Sequence, residues 1–235
     1  MAKDLTETLP LSRKKPYEYN WDKPVKGHPI VYWWAPPVAN WIIHKRYKKV
    51  TYIGEENIPE KGGFIICANH VAGFDPITVM NGFHCRRQCY FMAKQEFFQA
   101  FYTKWAMLIF GAFPVNRGRA DRDSIRYCQK IIDSGYGLVI FAQGHRDKEG
   151  KRPTGFQPGA SLIARECKAN VVPVSIHKFQ EPGEKKASLV VRYGKVIPYK
   201  DLGFTEGSRK AKELRSATAL LENTVASQWD LDDHA

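Results

Sequence analysis

Short, uninterrupted apolar runs alternate along this chain with longer stretches whose apolar residues recur every three or four positions. The runs at Val50–Ile53, Phe64–Cys67, Tyr90–Ala93, Phe113–Val115, Leu138–Ala142, Val171–Ile176 and Leu189–Val196 have the length of strands. Those that are apolar throughout predict strands buried on both faces. Helical spacing appears in Asp123–Ser134, where Ile125, Cys128, Ile131 and Ile132 share a face and Gly135 follows as a stop. Helices are also expected over Glu96–Phe110 and Gly159–Cys167, and over 207–228, where Leu214, Ala217, Leu221 and Val225 align. Asp75-Pro76 reads as a helix start, with Asp as N-cap and Pro at the first helical position. Strands separated by helices predict an α/β fold: a mixed, mostly parallel sheet flanked by helices on both faces.

Ahead of these elements lies a different kind of sequence. Residues 1–29 are polar, charged and Pro-containing, and are expected to be a loosely ordered lead-in. The apolar stretch 30-IVYWWAPPVANWII-43 follows, interrupted by Pro36-Pro37 and Asn40. It is shorter than the roughly 20 apolar residues that a spanning helix needs. His28 precedes it and His44, Lys45 and Arg46 follow it, so it reads as an aromatic and basic arm lying in a membrane interface. The prolines allow a break in that helical segment. The division expected is an arm over 1–49 and one main domain over 50–235. No apolar leader is evident at the polar amino terminus.

Charge sharpens the picture. Lys and Arg number 36 against 24 Asp and Glu, a formal +12, which favours an anionic partner. Four of the six Trp (Trp21, Trp33, Trp34 and Trp41) sit near the amino terminus. Basic charge beside clustered rings suits an anionic membrane surface. Nucleic acid would use the same composition, but no helix-turn-helix or zinc-finger pattern supports it, and no nucleic-acid partner is expected. Cys67, Cys85, Cys89, Cys128 and Cys167 show no CxxC spacing. His84, Cys85 and Cys89 form a weak metal grouping, and buried reduced thiols are the preferred reading. No metal and no resident cofactor is expected.

Chemistry concentrates where apolar runs end. In α/β sheets, ligands sit beyond the carboxyl ends of the strands. Phe64–Cys67 runs into Asn69, His70 and Asp75; Phe113–Val115 into Asn116-Arg117; Leu138–Ala142 into Gln143, Gly144, His145 and Arg146. A His takes up a proton near neutral pH, and a carboxylate on its far ring nitrogen fixes the tautomer and stabilises the imidazolium. Arginines hold a phosphate through their planar fork. The combination points to proton abstraction beside an anionic substrate.

Asn69-His70 with Asp75 five residues beyond the His resembles the first sequence block of the glycerolipid acyltransferases, the family that includes 1-acyl-glycerol-3-phosphate acyltransferase. The second block resembles 111-GAFPVNR-117, the third 141-FAQGHR-146 and the fourth 171-VVPVSI-176, in the family's order. The third block departs from the family's Phe-Pro-Glu-Gly-Thr-Arg: Ala142, Gln143 and His145 replace Pro, Glu and Thr. The resemblance implies an O-acyltransferase in which His70 deprotonates an acceptor hydroxyl, Asp75 orients His70, and Arg117 and Arg146 hold the acceptor's phosphate. Gly144 would permit close backbone approach, and Asn69, Gln143 and His145 would complete the substrate site. The donor would be an acyl thioester on CoA or acyl-carrier protein, the acceptor a lysophospholipid, and the location the cytoplasmic face of a membrane. The aromatic segment 96–113 reads as an acyl groove or as core, with core preferred.

Overall fold

The computed structural model describes residues 17–23, 25, 29–84, 86–115 and 122–231. Its strands are β1 (Val50–Ile53), β2 (Phe64–Ala68), β3 (Cys89–Lys94), β4 (Ala112–Val115), β5 (Gly137–Phe141), β6 (Asn170–Phe179) and β7 (Ser188–Tyr193). Its α-helices are α1 (Pro29–Arg46), α2 (Asp75–Gly82), α3 (Phe101–Ile109), α4 (Arg122–Asp133), α5 (Gly159–Cys167) and α6 (Ala211–Trp229). The strands form one sheet in the order β1-β7-β6-β2-β5-β3-β4. From β6 to β4 all neighbours are parallel, whereas β7 runs antiparallel to β6, and β1 is parallel to β7. The reversal has a local cause. No helix intervenes between β6 and β7, so the chain returns as a hairpin, and a hairpin yields an antiparallel pair.

Strand β2 stands in the middle of this order and is buried throughout. Its pleat sends Phe64, Ile66 and Ala68 to one side, where Ala39 and Ile43 of α1 and Val79 and Met80 of α2 meet them. Ile65 and Cys67 point the other way, toward Tyr127, Cys128 and Ile131 of α4, Ile163 and Ala164 of α5, and Leu221 and Val225 of α6. Each large side chain sealed in this way contributes about 1.5–3 kcal/mol of apolar burial. Two helical layers therefore cover the sheet, and β2, β5 and β6 end side by side at one edge. That is the mixed, mostly parallel, doubly covered α/β sheet expected.

Four expectations require correction. Helix α1 runs unbroken through Pro36 and Pro37. A proline removes its own N–H from the ladder, but its ring already fixes a helical φ, so two of them need not end a helix. Asp75 is the first residue of α2 rather than its cap: Phe74 holds the N-cap position, without a side-chain cap. The lead-in is packed where it is described, because Tyr17 stacks on Phe98 with centroids 5.7 Å apart and the Tyr19 hydroxyl donates to that of Tyr127 at 3.0 Å. The segment expected as a helix over Glu96–Phe110 is a short 3-10 turn followed by α3. Phe98 is sealed, but Phe101, Tyr102 and Trp105 face outward, so core is the wrong description of that outer face.

Candidate active site

The site begins at the carboxyl end of β2. Asn69, the residue after the strand, is 1% exposed. Its side chain imitates one more rung of backbone: Nδ2 donates to the Ile176 carbonyl at 2.9 Å, and Oδ1 accepts from the Ile176 N–H at 2.7 Å. Expected at the substrate, Asn69 instead ties the end of β2 to β6. The neighbouring His70 is thereby launched from a fixed backbone.

His70 is gripped from the β5 side as well. Its N–H donates to Gln143 Oε1 at 3.0 Å, and its carbonyl accepts from the Asp147 N–H at 2.8 Å. Gln143, 5% exposed, also donates from Nε2 to the Thr154 carbonyl at 3.4 Å. Both main-chain polar groups of His70 are thus held by the turn that follows β5. Gln143 was expected to touch substrate; its buried amide braces the backbone of His70 instead. A Glu at this position would keep the acceptor but lose the donor to Thr154.

The ring of His70 is set just as firmly. It stacks on Phe141, the last residue of β5, with centroids 4.2 Å apart and planes 22° from parallel. Nδ1 lies 2.7 Å from Asp75 Oδ2. Asp75 is fully buried, and the same oxygen accepts the N–H groups of Val71 at 2.7 Å and Ala72 at 2.8 Å. The carboxylate thus folds the loop 70–75 around itself rather than capping α2. Against an ionised carboxylate, which only accepts, the tautomer that fits this contact carries its proton on Nδ1 and its lone pair on Nε2. The His70 side chain keeps 13% of its surface exposed, an opening to outside solutes. Asp75 Oδ1 is buried with no hydrogen-bond partner among the described residues.

The remaining expected residues differ in their fit. Arg146 is half-buried and reaches over the His70–Asp75 loop: its Nη1 lies 3.3 Å from where a Cβ on Gly73 would stand. Gly144 adopts a φ of +71°, but a Cβ there would make only ordinary contact, at 3.5 Å, with Gln157. Glycine is needed there for the left-handed turn. His145 is exposed, and its Nδ1 lies 2.9 Å from the Gln143 carbonyl. Arg117 falls outside the described residues; β4, which ends just before it, points its carboxyl end to the same sheet edge. The grouping of His84, Cys85 and Cys89 includes Cys85, also outside the described residues. Among those described, no cluster of His, Cys, Asp or Glu is arranged to hold a metal.

One neighbour was not anticipated. Tyr47, just past α1, is buried, and its phenol is pushed toward retaining its proton, first by burial and then by the negative charge of Asp75, with Arg46 opposing. Arg46 itself stacks over Phe74, 5.1 Å from the ring centroid. The end of the arm therefore abuts the Asp75 loop. The sequence signal was present only as a Tyr inside a basic run, a pattern that surface loops share.

Comparisons with known proteins place the chain in a family. The family model described as acyltransferase matches residues 49–177. A 1-acyl-sn-glycerol-3-phosphate acyltransferase of Bacillus subtilis is 33% identical over 140 residues, covering 58% of this chain and 65% of that protein. One from Borreliella burgdorferi is 27% identical over 132 residues, covering 55% of this chain and 51% of the relative. The match therefore spans roughly half to two thirds of these relatives' length. In fold, the chain is similar to the crystal structure of the 1-acyl-sn-glycerophosphate (LPA) acyltransferase PlsC from Thermotoga maritima. The TM-score is 0.63 at 21% identity, over 86% of this chain and 78% of the other. The matched segment holds β1 to β5, most of β6, and both the His70–Asp75 loop and the turn that grips it; the chain belongs to the acyltransferase family.

Proposed function

We propose that this protein is an O-acyltransferase that moves an acyl chain from an acyl thioester to the hydroxyl of a lysophospholipid. The foremost acceptor is 1-acyl-glycerol-3-phosphate, which would yield phosphatidic acid. The observation that carries the reading is the 2.7 Å contact between His70 Nδ1 and Asp75 Oδ2, which leaves Nε2 as a base on a partly open ring. The names of the curated relatives support the choice of acceptor.

In this mechanism Nε2 removes the acceptor's hydroxyl proton as its oxygen bonds to the thioester carbonyl carbon. The imidazolium that forms lies against the Asp75 carboxylate, which lowers the cost of the charge. The tetrahedral intermediate collapses by breaking the carbon–sulfur bond, and the departing thiolate takes the proton from His70. Ester and free thiol result, on CoA or on acyl-carrier protein. Arg146, and Arg117 by family resemblance, would hold the acceptor's phosphate. No acyl-enzyme is required. Burial pushes the Cys67 thiol up to about 12, which makes it a poor nucleophile.

Such substrates reside in bilayers, and the basic run Lys45, Arg46, Lys48 and Lys49 would keep the protein on the cytoplasmic face of one as a peripheral protein. Among the described residues, no helix is long and apolar enough to cross a membrane. The test is thiol release from an acyl-CoA in the presence of lysophosphatidic acid. Turnover is expected for the native protein and a loss of at least about 10³-fold for His70→Ala. Undiminished turnover in that variant would exclude the assigned base; vesicle binding without turnover on any lysophospholipid would make the protein a non-catalytic relative.

A further inference from the structure

Helix α3 has an inner and an outer face of opposite relation to solvent. Met107 and Leu108 pack on the core beneath it. On the other side Phe101 is 67% exposed, Tyr102 86% and Trp105 55%. Positions 101, 102 and 105 lie within one turn, and the Phe101 ring centroid is 5.7 Å from that of Tyr102 and 6.2 Å from that of Trp105. Contiguous exposed aromatics of this kind mark a surface that is covered in use.

The charge around this patch identifies what covers it. The sequence contains no Asp or Glu from Phe97 to Ala120, and none from Lys23 to Gly54. Among the described residues, the helices that expose Trp or Tyr at the surface lie in these acid-free segments: α3, and α1 with Trp41 60% exposed. Cations lie on rings throughout the region. Lys45 Nζ stands 4.1 Å from the Trp41 centroid, Arg46 5.1 Å from that of Phe74, and Lys104 Nζ 4.4 Å from that of Tyr17. Helices α1, α2 and α3 all pack against the same side of the sheet. Amphipathic rings mixed with cations, on two segments free of carboxylates, suit the headgroup layer of an anionic leaflet.

We propose that α3 is a second bilayer-contact element, in which Phe101, Tyr102 and Trp105 enter the headgroup region while α1 makes the first contact. Two contacts on one side of the sheet fix the protein's tilt as well as its distance from the membrane. The purpose of this docking rests on the proposed acyl transfer to a bilayer-borne acceptor, whereas the docking itself is measured without turnover.

The experiment is co-sedimentation of the full chain with vesicles of phosphatidylcholine alone and of phosphatidylcholine mixed with phosphatidylglycerol. The native protein is expected to favour the anionic vesicles, and the variant Phe101→Ser/Tyr102→Ser/Trp105→Ser to bind them at least about tenfold more weakly. With brominated acyl chains, part of the native tryptophan emission is quenched, and Trp105→Phe is expected to lose that part. Because the substituted side chains are exposed, circular dichroism should be unchanged. Equal partition of native and triple variant overturns the proposal. So does light scattering that finds a native dimer broken by the triple substitution, since a second copy would then be the occupant. Binding that depends on α3 in a protein without turnover would leave this inference standing and remove the acyl-transfer reading.

Discussion

Gln143 is the position where chemistry and support are hardest to separate. Its Oε1 receives the His70 N–H, and its Nε2 reaches the Thr154 carbonyl. Gln143→Ala strands a buried N–H next to the proposed base and should lower kcat well beyond any change in KM, at a stability cost of about 1–3 kcal/mol. Gln143→Glu keeps the acceptor, sets a carboxylate against the Thr154 carbonyl, and should retain more turnover than Ala. Steady-state kinetics and urea midpoints of both variants check this, and a KM-only effect in Gln143→Ala would return the residue to substrate contact. The His70–Asp75 pairing was legible in the sequence because its partners lie within one short loop. The brace from Gln143 was not, since it spans 73 positions and only the sheet order brings its ends together.

Among the elements, the joint between β2 and β6 carries the clearest consequence. Asn69 serves both polar groups of Ile176 at the point where the two ladders separate. Asn69→Ala leaves a buried N–H and a buried carbonyl unmet, and should cost about 2–4 kcal/mol. Chemical denaturation measures this loss, and turnover should fall with it, because His70 is the next residue. Most elements were readable from periodicity, since a run buried on both faces or on one stripe writes its surroundings into its composition. Helix α3 resisted that reading: it is aromatic and apolar nearly all round, and such a pattern does not distinguish the side facing core from the side facing a second apolar medium. The unbroken course of α1 was hidden for a different reason, because two adjacent prolines weaken a helix without ending it.

For the whole molecule, the sheet brings together blocks that are distant in the chain, and the same burial makes its stability depend on alkaline pH. Cys67 and Cys167 are each raised from 9.0 to about 12 by burial, and burial also raises Cys128 well above 9.0. Between those values the unfolded chain has released thiol protons that the folded chain retains, so unfolding is favoured as pH rises. The contribution of these thiols to stability should therefore be constant below about pH 9 and fall from there toward pH 12. Urea midpoints across that range report it, and Cys67→Ala should flatten the slope. The parallel centre and the antiparallel edge were both foreseeable, because helices occupy every strand-to-strand gap in the centre and none lies between β6 and β7. The order of the strands was not, since nothing local says that β5 inserts between β2 and β3.

The double hold on His70, by Gln143 at its N–H and Asp147 at its carbonyl, makes the segment between those two residues a gauge of fixed length. Lengthening or shortening it by one residue would pull the imidazole off its carboxylate even with every reactive group still present. Beyond Asp147 no such tether to His70 is evident among the described residues, so diversity introduced to redesign acceptor choice belongs after that position rather than within the gauge.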